Sequence, residues 1–238
     1  MYSLMAALEK ILQQHPVWLG GAPGAFSPAV STTYQALDEA LPGGGWPTGA
    51  LTEILGSRDG IGELQLVLPA VAKLTSAARR VVWLAPPHLP YAPALAAAGV
   101  DLAHLAVVRA PGRRDALWAA EQVLRGGCCH ALLGWFRRAG YEELRRLAVA
   151  AESSPAWVTL FRPSEAAREP SPACLRLALE PGGEALSVRI LKRRGAPAAA
   201  PLRLPVKRPV HALGRDPFPV SAGAGARAAR RLGLPVHA

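Results

Sequence analysis

The sequence predicts an α/β fold: a mostly parallel sheet flanked by helices and followed by an antiparallel hairpin. Three observations carry this expectation. Between residues 50 and 162, short apolar runs alternate with segments of helical period, the pattern of strands joined by crossover helices. From residue 174 the pattern changes to alternating polar and apolar residues on either side of "PGGE", which reads as strand, turn, strand. The stretch "ILGSRDGIGELQLVL", residues 54–68, sets a glycine-rich loop between a strand and a helix, the place where nucleotide-binding folds hold phosphate.

Residues 3–14 bring Leu4, Leu8, Ile11 and Leu12 to one face, with Glu9, Lys10, Gln13 and Gln14 elsewhere, so a short amphipathic helix is expected. Pro16 stops it, and "GGAPGAFSPAV" follows as a linker. Such a helix packs on its own domain or docks on a neighbour. A short helix at 33–40 leads through a Pro/Gly turn into a strand at 50–55. After the glycine loop, "ELQLVLPAVAKLTSAA" is a helix and "RVVWLAP" a buried strand. "PYAPALAAAGV" is a helix closed by Gly99, "HLAVVRAP" a strand, and "RRDALWAAEQVLRGG" a helix ending in glycine. "CCHALLGWF", "YEELRRLAVAAESS" and "AWVTLFR" continue as strand, helix and strand. The hairpin "CLRLALE-PGGE-ALSVRILKRR" comes next, and "APLRLPV" offers one more strand. Residues 207–238 are rich in Pro, Gly, Ala and Arg and show no period, so they read as a mobile, disordered tail. The expected organisation is a helix and linker over 1–30, a core domain over 31–206 and a basic tail over 207–238.

Composition narrows the function classes. Half of the 238 residues are hydrophobic, which suits a folded core and excludes a disordered chain. No apolar run nears the roughly 18 uncharged residues of a membrane helix, and "MYSLMAALEKILQQ" lacks the basic start and cleavage site of a secretory signal. Cys128, Cys129 and Cys174 have neither metal nor disulfide spacing, which suits a reducing cytoplasm. The six histidines are scattered, so no metal centre is expected. The net charge of +10 is uneven: residues 1–184 carry 16 basic and 16 acidic residues, whereas 185–238 carry 11 basic residues and the single acid Asp216. That segment either attracts phosphate backbones and acidic surfaces or is a soluble arginine-rich extension.

The glycine loop departs from phosphate-binding chemistry at its end. A phosphate loop reads G-x-x-x-x-G-K-[ST], with the lysine on the β/γ-phosphates and the hydroxyl on magnesium. Here Gly62 is followed by Glu63 and Leu64. A carboxylate repels a triphosphate, and leucine has no oxygen for a metal. Gly56, Gly60 and Gly62 are then expected to serve the tight strand-to-helix turn. Glu63, at a helix N-terminus where negative charge is favoured, either closes the site from within in the phosphate's place or is an exposed acid of the first turn.

The segment "STTYQALDEALPGGGWPTGALTEILG", the following strand and helix, and "GVD" at 99–101 resemble the core domain of RecA and its small relatives, the ImuA and SulA families, over about residues 31–206. The loop form G-x-x-x-G-I-G-E-L is that of the ImuA branch. The resemblance implies a RecA-like, P-loop-type core with a degenerate phosphate loop made of Gly56, Gly60, Gly62, Glu63 and Leu64. The RecA glutamate that positions water falls at Pro87, the acidic end of the Walker B strand near Gly134 or Trp135, and the adenine-stacking tyrosine at Ala94, close to Tyr91. A pseudo-ATPase without catalysis, cofactor or metal is therefore expected. Of the RecA DNA-binding loops, "RRAG" is all that follows the first strand and "RPSEAAREPSPA" stands for the second. Their Arg137, Arg138, Arg162 and Arg168 either touch phosphates or form a solvated rim. "LKRRGAP" matches the RecA strand whose cations reach a neighbour's ATP, at Lys192 and Arg194, although a basic hairpin end reads the same way.

The resemblance further implies a cytoplasmic accessory protein of the SOS response to DNA damage, acting in mutagenesis and translesion synthesis. Its partners would be RecA, an ImuB-like Y-family pseudo-polymerase and an error-prone DnaE-type polymerase. DNA would be met through tail residues Lys207, Arg208, Arg227, Arg230 and Arg231. The alternative is a SulA-like inhibitor of the division protein FtsZ.

Overall fold

In the computed structural model, residues 28–182, 185–195 and 200–205 are described. The expected helix over 3–14, most of the linker, and the tail with Lys207, Arg208, Arg227, Arg230 and Arg231 lie outside them. The described chain begins with two short strands, β1 (Ala29–Val30) and β2 (Trp46–Pro47), paired antiparallel. They enclose helix α1 (Gln35–Ala40). Neither strand is evident from the sequence, where the first falls in the linker and the second in a Pro/Gly turn.

Strand β3 (Ala50–Gly56) leads to helix α2 (Glu63–Ser76), then β4 (Val81–Leu84), helix α3 (Ala92–Ala97) and β5 (Leu105–Val108). Helix α4 (Arg113–Arg125), β6 (Ala131–Trp135), helix α5 (Tyr141–Glu152) and β7 (Trp157–Pro163) complete the alternating part. A 3-10 turn at Ser164–Arg168 precedes β8 (Leu175–Gly182), β9 (Ala185–Lys192) and β10 (Leu202–Pro205). The expected elements thus form at the expected places, with ends trimmed by a few residues.

Eight strands make one sheet in the order β10-β9-β8-β3-β7-β6-β4-β5. Strands β3 to β8 are parallel to their neighbours, while β8 with β9 and β9 with β10 pair antiparallel. The hairpin therefore extends the sheet on the β8 side, and β10 fulfils the expectation for "APLRLPV". Strand period divides the core in two. Trp83, Leu133 and Ile54 pack with Leu66, Ala70 and Val71 of α2 and with Leu37 of α1. Val82, Leu132 and Val158 pack with Leu117 and Leu124 of α4 and Leu144 and Leu147 of α5. Helices thus cover both faces, as a parallel sheet requires.

Helix α2 carries Pro69 in its interior. Proline has no N–H, so the Gln65 carbonyl one turn earlier loses its helical donor. The Tyr34 hydroxyl donates to that carbonyl at 2.9 Å. Asp38 of α1 accepts from the Ser31 hydroxyl and from the Thr32 N–H, at 2.8 and 2.7 Å. The segment 31–34 is in this way fastened both to α1 and to the helix after the glycine loop.

Candidate functional site

Strand β3 lies between β7 and β8, and the loop 57–62 leaves its carboxyl end. In open α/β sheets this end is where ligands bind. Gly60 and Gly62 have positive φ, 80° and 118°, a conformation that a side chain would strain. Gly56 is not in that region; a Cβ there would come within 2.9 Å of the Ile61 Cδ1 atom, so its need is space. The three glycines therefore shape the turn for two different reasons.

Glu63 opens α2, and only 8% of it is exposed. Its Oε1 accepts the Gly60 N–H at 2.7 Å and its Oε2 the Gly62 N–H at 3.1 Å. The reading of Glu63 as an exposed first-turn acid is thereby overturned. Its carboxylate is thus held by two backbone N–H groups of the loop. Leu64 is half-buried and packs against the α2-side core.

Beside the loop is a cleft of about 230 Å³. Ile54, Gly56, Trp135, Phe136 and Phe161 supply its apolar lining, together with Ala85 and Pro87 after β4. Trp135 stacks on Phe161 with ring centroids 4.7 Å apart and packs edge-on against Trp83 at 5.5 Å. Gly134 makes room for this arrangement, since a Cβ would fall 2.6 Å from the Phe136 ring. Ala85 holds a φ of 50°, an uncommon conformation for alanine, and its N–H donates to the Val108 carbonyl at 2.8 Å. Arg58, Asp59 and Arg137 stand at the mouth, with Arg137 3.8 Å from Asp59.

A buried ion cluster lies beneath the β7 and β8 side, and it was not anticipated. Glu53, at the centre of β3, is fully buried. Its Oε1 accepts from Arg162 Nη1 at 2.8 Å and its Oε2 from Arg176 Nε at 2.6 Å. Arg162 Nη2 also donates to the Ala139 carbonyl and to Glu169, and Arg176 Nη2 donates to the Ala166 carbonyl at 2.6 Å. Arg162 is thus neither a phosphate contact nor part of a solvated rim: its side chain is 1% exposed. Burial without a partner is costly for a charge, and Glu53 is the partner that both guanidiniums share. The signal was present in "ALTEILG", "WVTLFRP" and "LRLAL", each an apolar strand segment carrying one charge. Arg137, Arg138 and Arg168 are exposed.

Lys192 and Arg194 are exposed, and Lys192 Nζ donates to the Ser171 carbonyl at 3.0 Å. Both lie close enough to Cys174 for their charge to draw its thiol downward, although burial still leaves it above the ordinary value. They are remote from the glycine loop along the hairpin. Leu186, opposite Pro181, is the residue a Cβ on Gly62 would meet, whereas Lys192 pairs with Arg176 at the other end of β9. The structure therefore brings Gly56, Gly60, Gly62, Glu63 and Leu64 together and sets Lys192 and Arg194 apart from them. Among the described residues there is no group of three or more His, Cys, Asp or Glu able to hold a metal ion, and no helix is long and apolar enough to cross a membrane.

No protein-family model matches the chain, and no curated protein matches it.

Proposed function

We propose that this protein is a non-catalytic, RecA-like accessory factor of SOS-induced translesion synthesis, of the ImuA type, that engages RecA and an ImuB-like pseudo-polymerase and supports an error-prone DnaE-type polymerase. One observation carries the reading that the phosphate loop is degenerate: the Glu63 carboxylate accepts the N–H groups of Gly60 and Gly62. These are the donors that a phosphate loop offers its ligand. A triphosphate placed there would meet a buried negative charge in place of a lysine. The adjoining cleft presents Pro87 and Trp135 where the resemblance puts the groups that hold water and magnesium. Support for the RecA-like core comes from the mixed sheet, with the strand before the loop at its centre and a hairpin extending one side.

On this reading the protein acts by contact. Lys192 and Arg194 are exposed cations at the far end of the hairpin, suited to reaching the γ-phosphate of a neighbouring RecA subunit. A subunit that offers such a face but no nucleotide of its own adds once and stops a head-to-tail polymer. Pull-down of purified RecA, ImuB and FtsZ is the test, with full-length protein and with protein lacking residues 207–238. RecA and ImuB are expected to be retained and FtsZ to pass through. Retention of FtsZ alone would favour the SulA-like alternative. Length measurements on RecA filaments should show shortening by substoichiometric protein, abolished by Lys192→Glu with Arg194→Glu. Equal shortening by both proteins, or by neither, would rule out capping through these cations.

A further inference from the structure

The cleft beside the glycine loop has features that the reading above leaves unused. Its walls are mainly apolar and aromatic, with Trp135 half-buried on the stacked ring of Phe161, and the two buried charges that also line it, Glu63 and Arg162, are already held by the loop N–H groups and by Glu53 and Glu169. Its volume of about 230 Å³ lies below the roughly 300–1,000 Å³ of pockets for drug-sized ligands, so it suits a single ring. Its mouth carries exposed cations: Arg58 is exposed, and the Arg137 side chain is 85% exposed with one long contact to Asp59. Its lip is apolar. Pro87 lines the cleft, and two and four residues further on Leu89 and Tyr91 are 80% and 67% exposed. Exposed large apolar groups so few residues from the lining of an apolar hollow suggest an interaction surface.

We infer that this cleft is the docking site for a segment of a partner protein that carries one aromatic side chain flanked by carboxylates. The ring enters against Trp135 and Phe161, the carboxylates meet Arg58 and Arg137, and Leu89 and Tyr91 cover the apolar flank of the segment. Charge selects this occupant. A nucleic-acid strand brings a phosphate with every base and needs an anion seat close to the rings. The loop N–H groups that would provide one already hold Glu63. A peptide can direct its acids to the two guanidiniums alone. The site is separate from Lys192 and Arg194, so it stands or falls independently of the RecA contact proposed above.

The test titrates full-length protein with acetyl-Glu-Asp-Phe-Glu-Asp-amide. Controls are the same peptide with Ala for Phe, the same with Lys for every acid, and oligothymidylate. Binding is read from NMR shifts of the indole signals, with Trp135→Phe assigning the Trp135 resonance. The acidic Phe peptide is expected to bind about tenfold or more tightly than either control peptide and to move the Trp135 signal. Arg58→Glu with Arg137→Glu, both on exposed positions, should invert the preference toward the Lys-flanked peptide. Leu89→Ser with Tyr91→Ser should weaken binding several-fold without altering circular dichroism. Equal binding of the Phe and Ala peptides, or a preference unmoved by charge reversal, overturns the proposal. Oligothymidylate that shifts Trp135 where the peptides do not would also overturn it and assign the cleft to nucleic acid.

Discussion

The Tyr34 hydroxyl donates to the Gln65 carbonyl at 2.9 Å, the carbonyl that Pro69 leaves without its helical donor. A turn of α2 that proline would open is closed by a side chain 31 residues earlier in the chain. Tyr34→Phe should therefore orphan a partly buried carbonyl and cost about 1–3 kcal/mol in urea unfolding. In a Pro69→Ala background the helix supplies its own N–H, and the same substitution should cost clearly less. Equal costs in the two backgrounds would mean that the tyrosine acts through packing alone.

Glu63 should be worth more to the loop than an ordinary first-turn acid. Glu63→Ala removes the acceptor for two N–H groups, and a loss of about 1–3 kcal/mol is expected in denaturant unfolding. Glu63→Lys should be at least as destabilising, because it turns an ammonium toward the same donors. Neither protein is expected to hydrolyse ATP, with or without single-stranded DNA, since Leu64, Pro87 and Trp135 remain. DNA-stimulated turnover by wild-type protein, lost on mutating the loop, would contradict the pseudo-ATPase reading.

Glu53 is the common partner of two buried guanidiniums. Glu53→Leu should strand Arg176 without a counter-charge, leave Arg162 with only the partly exposed Glu169, and cost about 3–5 kcal/mol. The triple replacement, adding Arg162→Met and Arg176→Met, should recover much of that loss, because apolar groups need no counter-charge. Thermal and urea unfolding of the two variants decide the point: a triple variant no more stable than the single one would show that hydrogen bonds to Ala139 and Ala166 matter more than the charges.

The neighbouring cysteines should differ in reactivity. Cys128 is exposed, whereas burial, with Cys128 beside it, pushes the Cys129 thiol up to about 12. At pH 8 a thiol reagent should modify Cys128 first and reach Cys129 only on unfolding. The sign of the stability effect follows from the raised value. Between about pH 9 and 12 the unfolded thiol has lost its proton while the folded one keeps it, so this contribution to stability falls as pH rises through that window. Cys129→Ala should flatten that part of the pH–stability curve.

Deleting residues 207–238 removes none of the described strands of the sheet, whose last described residue is Pro205. The truncated protein should keep its thermal unfolding midpoint. If Lys207, Arg208, Arg227, Arg230 and Arg231 meet phosphate backbones, full-length protein should bind DNA with an affinity that drops steeply with salt, and the truncated one should not. Unchanged binding to DNA and to ImuB after truncation would leave the tail a solubilising extension.

What the sequence determined by itself was the list and order of core elements. Period-two and helical patterns are local properties of the chain, so the strands from β3 to β10 and the helices between them could be read one at a time. The chemistry of the glycine loop was equally local, since Glu63 and Leu64 follow Gly62 directly. The tertiary structure decided which residues meet. Periodicity tells which face of a strand a residue occupies but not which strand will lie beside it, and β3 finds its neighbours in β7 and β8, more than 100 residues on. That pairing sets Glu53 between Arg162 and Arg176, turns a supposed surface arginine into a buried one, and opens the aromatic cleft at the strand ends. Tyr34 and Gln65 meet for the same reason. Their hydrogen bond depends on how the chain returns over α2, and nothing within a few residues of either one specifies that path.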